Sequence, residues 1–73
     1  MKHPEPPSPR QADVLDVVVR VYRATGEPVS SALIARRLNL SRGTVREHLI
    51  DLHDKGWLET TSAAAIPAPD YLK

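Results

Sequence analysis

Apolar side chains recur at helical spacing through three successive segments of the chain, and the period then changes to alternation. In the first segment Val14, Leu15, Val18, Val21 and Tyr22 form one stripe, with Asp13, Asp16, Arg20 and Arg23 on other faces. Ser8 followed by Pro9 supplies a start: a hydroxyl that caps free amides, then a proline whose missing donor costs nothing in the first turn. The pattern predicts a helix of about 16 residues that ends near Gly26. Val17-Val18-Val19 is β-branched and locally favours a strand, but the periodicity runs well past strand length.

Pro28 forces an extended step at Glu27-Pro28-Val29, after which Ser30 or Ser31 can cap a second, short helix carrying Leu33, Ile34 and Leu38. The small Ala35 permits close approach of a neighbouring helix. Asn39-Leu40 reads as a tight turn, because asparagine tolerates the left-handed conformation that closes a helix. Ser41 then caps a third helix, predicted over 41–55, with Val45, Leu49 and Leu52 on one face and Gly56 at its end. Trp57-Leu58-Glu59-Thr60-Thr61 alternates as a strand does. Ser62 to Ala65 reads as a small-residue turn, and Ile66 opens a second strand that Pro67 closes. The expected fold class is mainly α with a small β-hairpin. No internal repeat is present.

A short helix, a tight turn and an immediately following helix are the parts of a helix-turn-helix, whose second helix enters the DNA major groove. With Val45, Leu49 and Leu52 turned to the core, a step of about 100° per residue places Gly43, Arg46, Glu47 and Ile50 outward. Arg42 and Thr44 flank the exposed amino end. Arg46 suits a two-pronged contact to guanine, Glu47 can accept from a cytosine amine, and Thr44 can touch a phosphate or a thymine methyl. Gly43 lets backbone come close. Phosphate contacts are expected from Ser41, Arg42 and the helix's free amides, supported by Arg36 or Arg37.

Charge placement sharpens this picture more than net charge does. The 73 residues carry 10 Lys or Arg against 9 Asp or Glu. Yet Arg36, Arg37, Arg42 and Arg46 fall in one acid-free stretch, leaving six basic against nine acidic residues elsewhere. That is the electrostatic footprint expected where a nucleic acid is met. A chain of this size buries only about 60% of its unfolded surface, which disfavours a deep active site. With no cysteine, disulfides, thiolate zinc sites and thiol nucleophiles are excluded together. No run approaches the roughly 18 apolar residues of a membrane span. The sequence therefore reads as that of a soluble cytoplasmic protein, not an enzyme, with no cofactor and no membrane partner. Four of the seven prolines lie within the first nine residues, so 1–8 read as a disordered arm, 9–67 as the domain and 68–73 as a flexible tail.

Segments along the chain also resemble two known families. Arg10-Gln11, Thr25-Gly26-Glu27-Pro28-Val29-Ser30-Ser31, Leu40-Ser41, Thr44-Val45-Arg46, Asp51-Leu52 and Thr61-Ser62-Ala63 with Ile66-Pro67 resemble, in order, the amino-terminal winged helix of HrcA-type heat-shock repressors. Arg10-Gln11, Ile34-Ala35, Glu47-His48-Leu49 and Lys55-Gly56 are similar to the DNA-binding domain of LexA-type SOS repressors. The resemblance implies a three-helix winged helix-turn-helix and a repressor that binds double-stranded DNA at an inverted repeat as a homodimer. It also implies base or backbone contacts at Ser41, Gly43, Thr44, Arg46 and Glu47. The chain departs from the heat-shock repressors at Ala64-Ala65, where they usually carry Gly-Arg in the wing. Both families also have a large carboxyl-terminal part, so the chain reads as a domain of a longer regulator or as a stand-alone module.

Other residues have plainer readings. His48 and His53 are about 140° apart around their helix and cannot share a metal as an i, i+4 pair does. His48 is expected to border the core, and His53 to be solvated or near a phosphate. Trp57 is expected to anchor the wing. Val17 and Val19 are left over after one face of the first helix is buried, and form either a dimer surface or part of a wide core face. The alternative to DNA binding is a winged helix that docks acidic protein surfaces through the same arginines.

Overall fold

In the computed structural model, which describes residues 5–60 and 63–69, helix α1 (Pro9–Thr25) starts at Ser8 as the sequence predicts. Ser8 Oγ accepts from the Gln11 amide at 3.3 Å, and the Ser8 amide donates to Gln11 Oε1 at 3.1 Å. This reciprocal box satisfies donors that a helix start otherwise leaves open. The helix closes at Gly26, whose φ of 72° is the left-handed conformation that glycine adopts without strain. Its buried stripe is wider than the strict periodic set. Val19 is buried, and Val17 is partly buried against the core, so of the two readings of these valines the wide core face is the one found.

A two-residue strand β1 (Val29–Ser30) leads directly into α2 (Ser31–Leu38), capped by Ser30 Oγ on the Leu33 amide at 3.1 Å. Asn39 ends α2 at φ 56° and ψ 47°, and the Leu40 amide reaches back to the Ala35 carbonyl at 2.9 Å. Helix α3 (Arg42–Asp54) follows at once. Strands β2 (Leu58–Thr60) and β3 (Ala64–Pro67) complete the order.

Two sequence expectations need correction here. Ala64 and Ala65 belong to β3 and not to a turn, and the sheet has three antiparallel strands in the order β1-β3-β2, not two. Val29 pairs with Ala65 and Ser30 with Ala64, while Leu58, Glu59 and Thr60 face Pro67, Ile66 and Ala65. Alanine has little intrinsic strand preference, so these residues read as a turn; the tertiary setting reverses that. Ala65 is fully buried in the core, where a small side chain lets the central strand approach the helices. Thr61, expected to end the first strand, Ser62, expected to open the turn, and positions 1–4 of the expected arm and 70–73 of the expected tail lie outside the described residues.

One core joins all the elements: Val14, Leu15 and Val18 of α1, Ile34 and Ala35 of α2, Val45, Leu49 and Leu52 of α3, and Val29, Leu58 and Ala65 of the sheet. Three helices, with the second and third joined by a tight turn, and a small antiparallel sheet after them make a winged helix-turn-helix. Trp57 is partly buried against this core, and its indole donates to the Glu5 carbonyl at 2.6 Å. His53 is exposed, as the solvated reading expects, and it also has a partner within the fold. Its Nδ1 lies 3.1 Å from the Leu58 carbonyl, which ties the end of α3 to the start of β2.

Gln11 is the buried polar residue among the described ones, and it locks the two ends of the fold together. Its Nε2 donates to Asp51 Oδ2 at 3.0 Å, and its Oε1 accepts from Lys55 Nζ at 2.8 Å. The start of α1 is thus fastened to the last turns of α3. Gln11→Ala is expected to destabilise the fold by about 1–3 kcal/mol in urea unfolding, because it strands these partners and loses half of the capping box.

Candidate functional site

The site predicted from sequence is assembled around the amino end of α3. Ser41 Oγ accepts from the Thr44 amide at 3.1 Å and donates to Thr44 Oγ1 at 2.9 Å. The two hydroxyls therefore act as one capping unit. With its proton directed at Thr44, Ser41 orients the helix start, and Thr44 keeps a proton to donate outward. The Val45 amide is satisfied by the Ser41 carbonyl at 3.0 Å. The amides of Arg42 and Gly43 are the open donors of the first turn, at the positive end of the helix dipole.

Gly43 is exposed, and a Cβ built there meets nothing within 4 Å. The fold itself has no need of glycine at this position, so its lack of a side chain matters only toward whatever approaches from outside. Arg42, Arg46 and Glu47 are exposed, Thr44 is partly buried, and Val45, Leu49 and Leu52 point inward. Arg36 and Arg37 are exposed on the last turn of α2, next to the turn that leads into α3.

Of the eight predicted site residues, Arg36 and Arg37 lie on α2's last turn, Ser41 caps α3 and the other five lie on α3's first two turns, and none is buried. Among the described residues the ion pairs are Arg10 with Asp13 and Arg20 with Asp16, both on α1, and none of Arg36, Arg37, Arg42 and Arg46 is held by a hydrogen bond or carboxylate. Exposed guanidinium groups with no partner among the described residues, together with two open amides, have the chemistry to meet an anion with several charges.

Sequence reasoning placed Ile50 on this outer face but gave it no role. It is 53% exposed and lines an open groove of about 290 Å³ between α3 and the sheet. Arg46 and Leu49 share the α3 wall, with Thr60, Ala63 and Ala64 opposite. The signal available in the sequence was an isoleucine among polar outward positions. The groove was not available, because its second wall comes from residues at least ten positions away.

Comparison with known proteins gives consistent findings. The LexA DNA binding domain family matches residues 5–65. Among curated proteins the chain is similar to heat-inducible transcription repressors HrcA. It is 43% identical to that of Clostridium perfringens over 81% of this chain, and 48% identical to that of Moorella thermoacetica over the same share. The Prosthecochloris aestuarii repressor is 38% identical over 82% of the chain. The chain spans 18–19% of the length of these relatives. No solved structure matches it.

Proposed function

The chain belongs to the LexA DNA binding domain family, and from that premise we propose that it is the sequence-reading domain of a transcriptional repressor. In this reading residues 9–67 form the DNA-binding unit, and α3 lies in the major groove of double-stranded DNA. The observation that carries it is the set of four exposed arginines on the last turn of α2 and the first two turns of α3, none with a partner among the described residues. The repressor names of the relatives support the same reading.

The roles divide by reach. Arg42, the amides of Arg42 and Gly43, and Arg36 and Arg37 from α2 hold phosphates and fix the register. Arg46 reads guanine in two-pronged fashion, Glu47 accepts from a cytosine amine, and Thr44 donates to phosphate or touches a thymine methyl. Ser41 acts by holding Thr44 and the first turn in place. Gly43 leaves room for the sugar-phosphate backbone. A single module of this size covers little DNA, so tight occupancy of a promoter calls for two copies on an inverted repeat, with linked binding supplying the missing affinity. The proposed setting is the cytoplasm, where the DNA lies, and no catalysis is ascribed to the chain.

Selection of bound duplexes from a random pool tests this reading. The expected outcome is an enriched motif, symmetric if the protein pairs, with affinity falling steeply with salt. The log-log slope is expected near −0.9 per neutralised phosphate. Absence of enrichment at low salt would transfer the arginine face to an acidic protein partner.

A further inference from the structure

Ile50 is the one large apolar side chain that the described residues leave well exposed, at 53%. Scattered exposed apolar residues are ordinary on protein surfaces, so exposure alone says little. Its position says more. Ile50 lies on the face of α3 that carries Gly43, Arg46 and Glu47, one turn beyond Arg46, and with Leu49, Ala63 and Ala64 it supplies the apolar part of a groove of about 290 Å³ that Ser31, Arg46 and Thr60 also line. Arg46 beside it is exposed and has no partner among the described residues, and the apolar patch continues the surface proposed to meet DNA. One isoleucine, one leucine and two alanines form a patch far too small for a second protein, since a stable interface covers about 800 Å² on each partner. They suit a single methyl group. Among the base edges in the major groove of unmodified DNA, the apolar group is the thymine C5-methyl.

We propose that Ile50 is a specificity-determining residue that seats a thymine methyl group at the mouth of this groove. The inference rests on the DNA-reading function proposed above and adds a base to it. Because α3 rises about 1.5 Å per residue, Ile50 lies about 6 Å along the helix from Arg46. At about 3.4 Å per base step, the thymine falls within about two base pairs of the guanine that Arg46 reads. Arg46 and Ile50 together then specify a short guanine-thymine element, the first by hydrogen bonds and the second by shape.

The test uses a duplex obtained by selection, with each thymine replaced in turn by deoxyuridine, which removes the methyl and keeps the pairing. The full chain, Ile50→Ala and Ile50→Val are compared by fluorescence anisotropy. Circular dichroism melting confirms that each variant is folded, as expected for an exposed helical position. At one thymine near the Arg46 guanine, deoxyuridine is expected to weaken the parent chain about fourfold, the worth of one buried methyl. Ile50→Ala is expected to bind the two duplexes equally, and Ile50→Val to retain part of the discrimination. Sequence-specific binding in which no thymine responds, or in which Ile50→Ala still discriminates, overturns the proposal while leaving the DNA-reading function intact. So does a selected motif with no thymine within two base pairs of that guanine. Failure to bind any duplex at low salt overturns the function itself, and this inference with it.

Discussion

Alanine at both Arg42 and Arg46 is expected to lower affinity for a selected duplex by about a hundredfold or more at moderate salt. A two-pronged arginine–guanine contact and an arginine–phosphate contact each contribute about 1–3 kcal/mol, and each 1.4 kcal/mol is a factor of ten. The two losses differ in kind, and single variants separate them. Arg42→Ala removes a phosphate contact, so it weakens all sequences alike and reduces the salt slope by about one. Arg46→Ala leaves the slope nearly unchanged and relaxes the preference for guanine at one position. Neither arginine has a partner among the described residues, so their removal breaks no bond found there. Melting temperatures are expected to stay close to that of the parent, since surface changes of this kind fall within about 0.5 kcal/mol. Undiminished binding by the double variant would remove α3 as the reading helix.

Leu52→Ala is expected to have the opposite signature. Leu52 is fully buried in the core that α3 shares with α1, α2 and the sheet. Truncating such a leucine costs about 2–5 kcal/mol, the sum of lost transfer energy and the cavity left behind. A domain of this size holds only about 0.05–0.15 kcal/mol per residue, so this is a large share of the total. The melting temperature is expected to fall by about 10 °C or more in calorimetry, at roughly 4–8 °C per kcal/mol. DNA affinity measured well below the new melting point is expected to change little, because Leu52 points away from the outer face. Loss of affinity in a fully folded Leu52→Ala protein would mean that core packing sets the position of α3 more finely than its anchors imply.

The residues that announced themselves in the sequence did so through short-range chemistry. Ser8, Ser30 and Ser41 each cap a helix by bonding an amide three residues on, and Gly26 and Asn39 close helices from the left-handed conformation. The same locality made the site legible, because all eight candidate residues lie between positions 36 and 47, on one turn of α2 and the start of α3. Helical spacing then decided which of them point outward. The misread segments lack any such signal. Val29–Ser30 is too short to show alternation, and Ala64-Ala65 shows no strand preference; the two pair with each other, and Ala65 pairs with Thr60 of β2 as well.

Gln11 illustrates the same division within one side chain. Its bonds to Ser8 are foreseeable from spacing, whereas those to Asp51 and Lys55 span 40 and 44 positions. By itself the sequence determined the three helices, their ends, the outward face of α3 and the arginine cluster beside it, because caps, periodicity and charge act within about four residues. Only the tertiary structure decided the third strand, the lock between the start of α1 and the end of α3, and the groove beside Ile50. Each of these needs two segments that are distant in the chain to be brought together, and that is set by how the whole core packs.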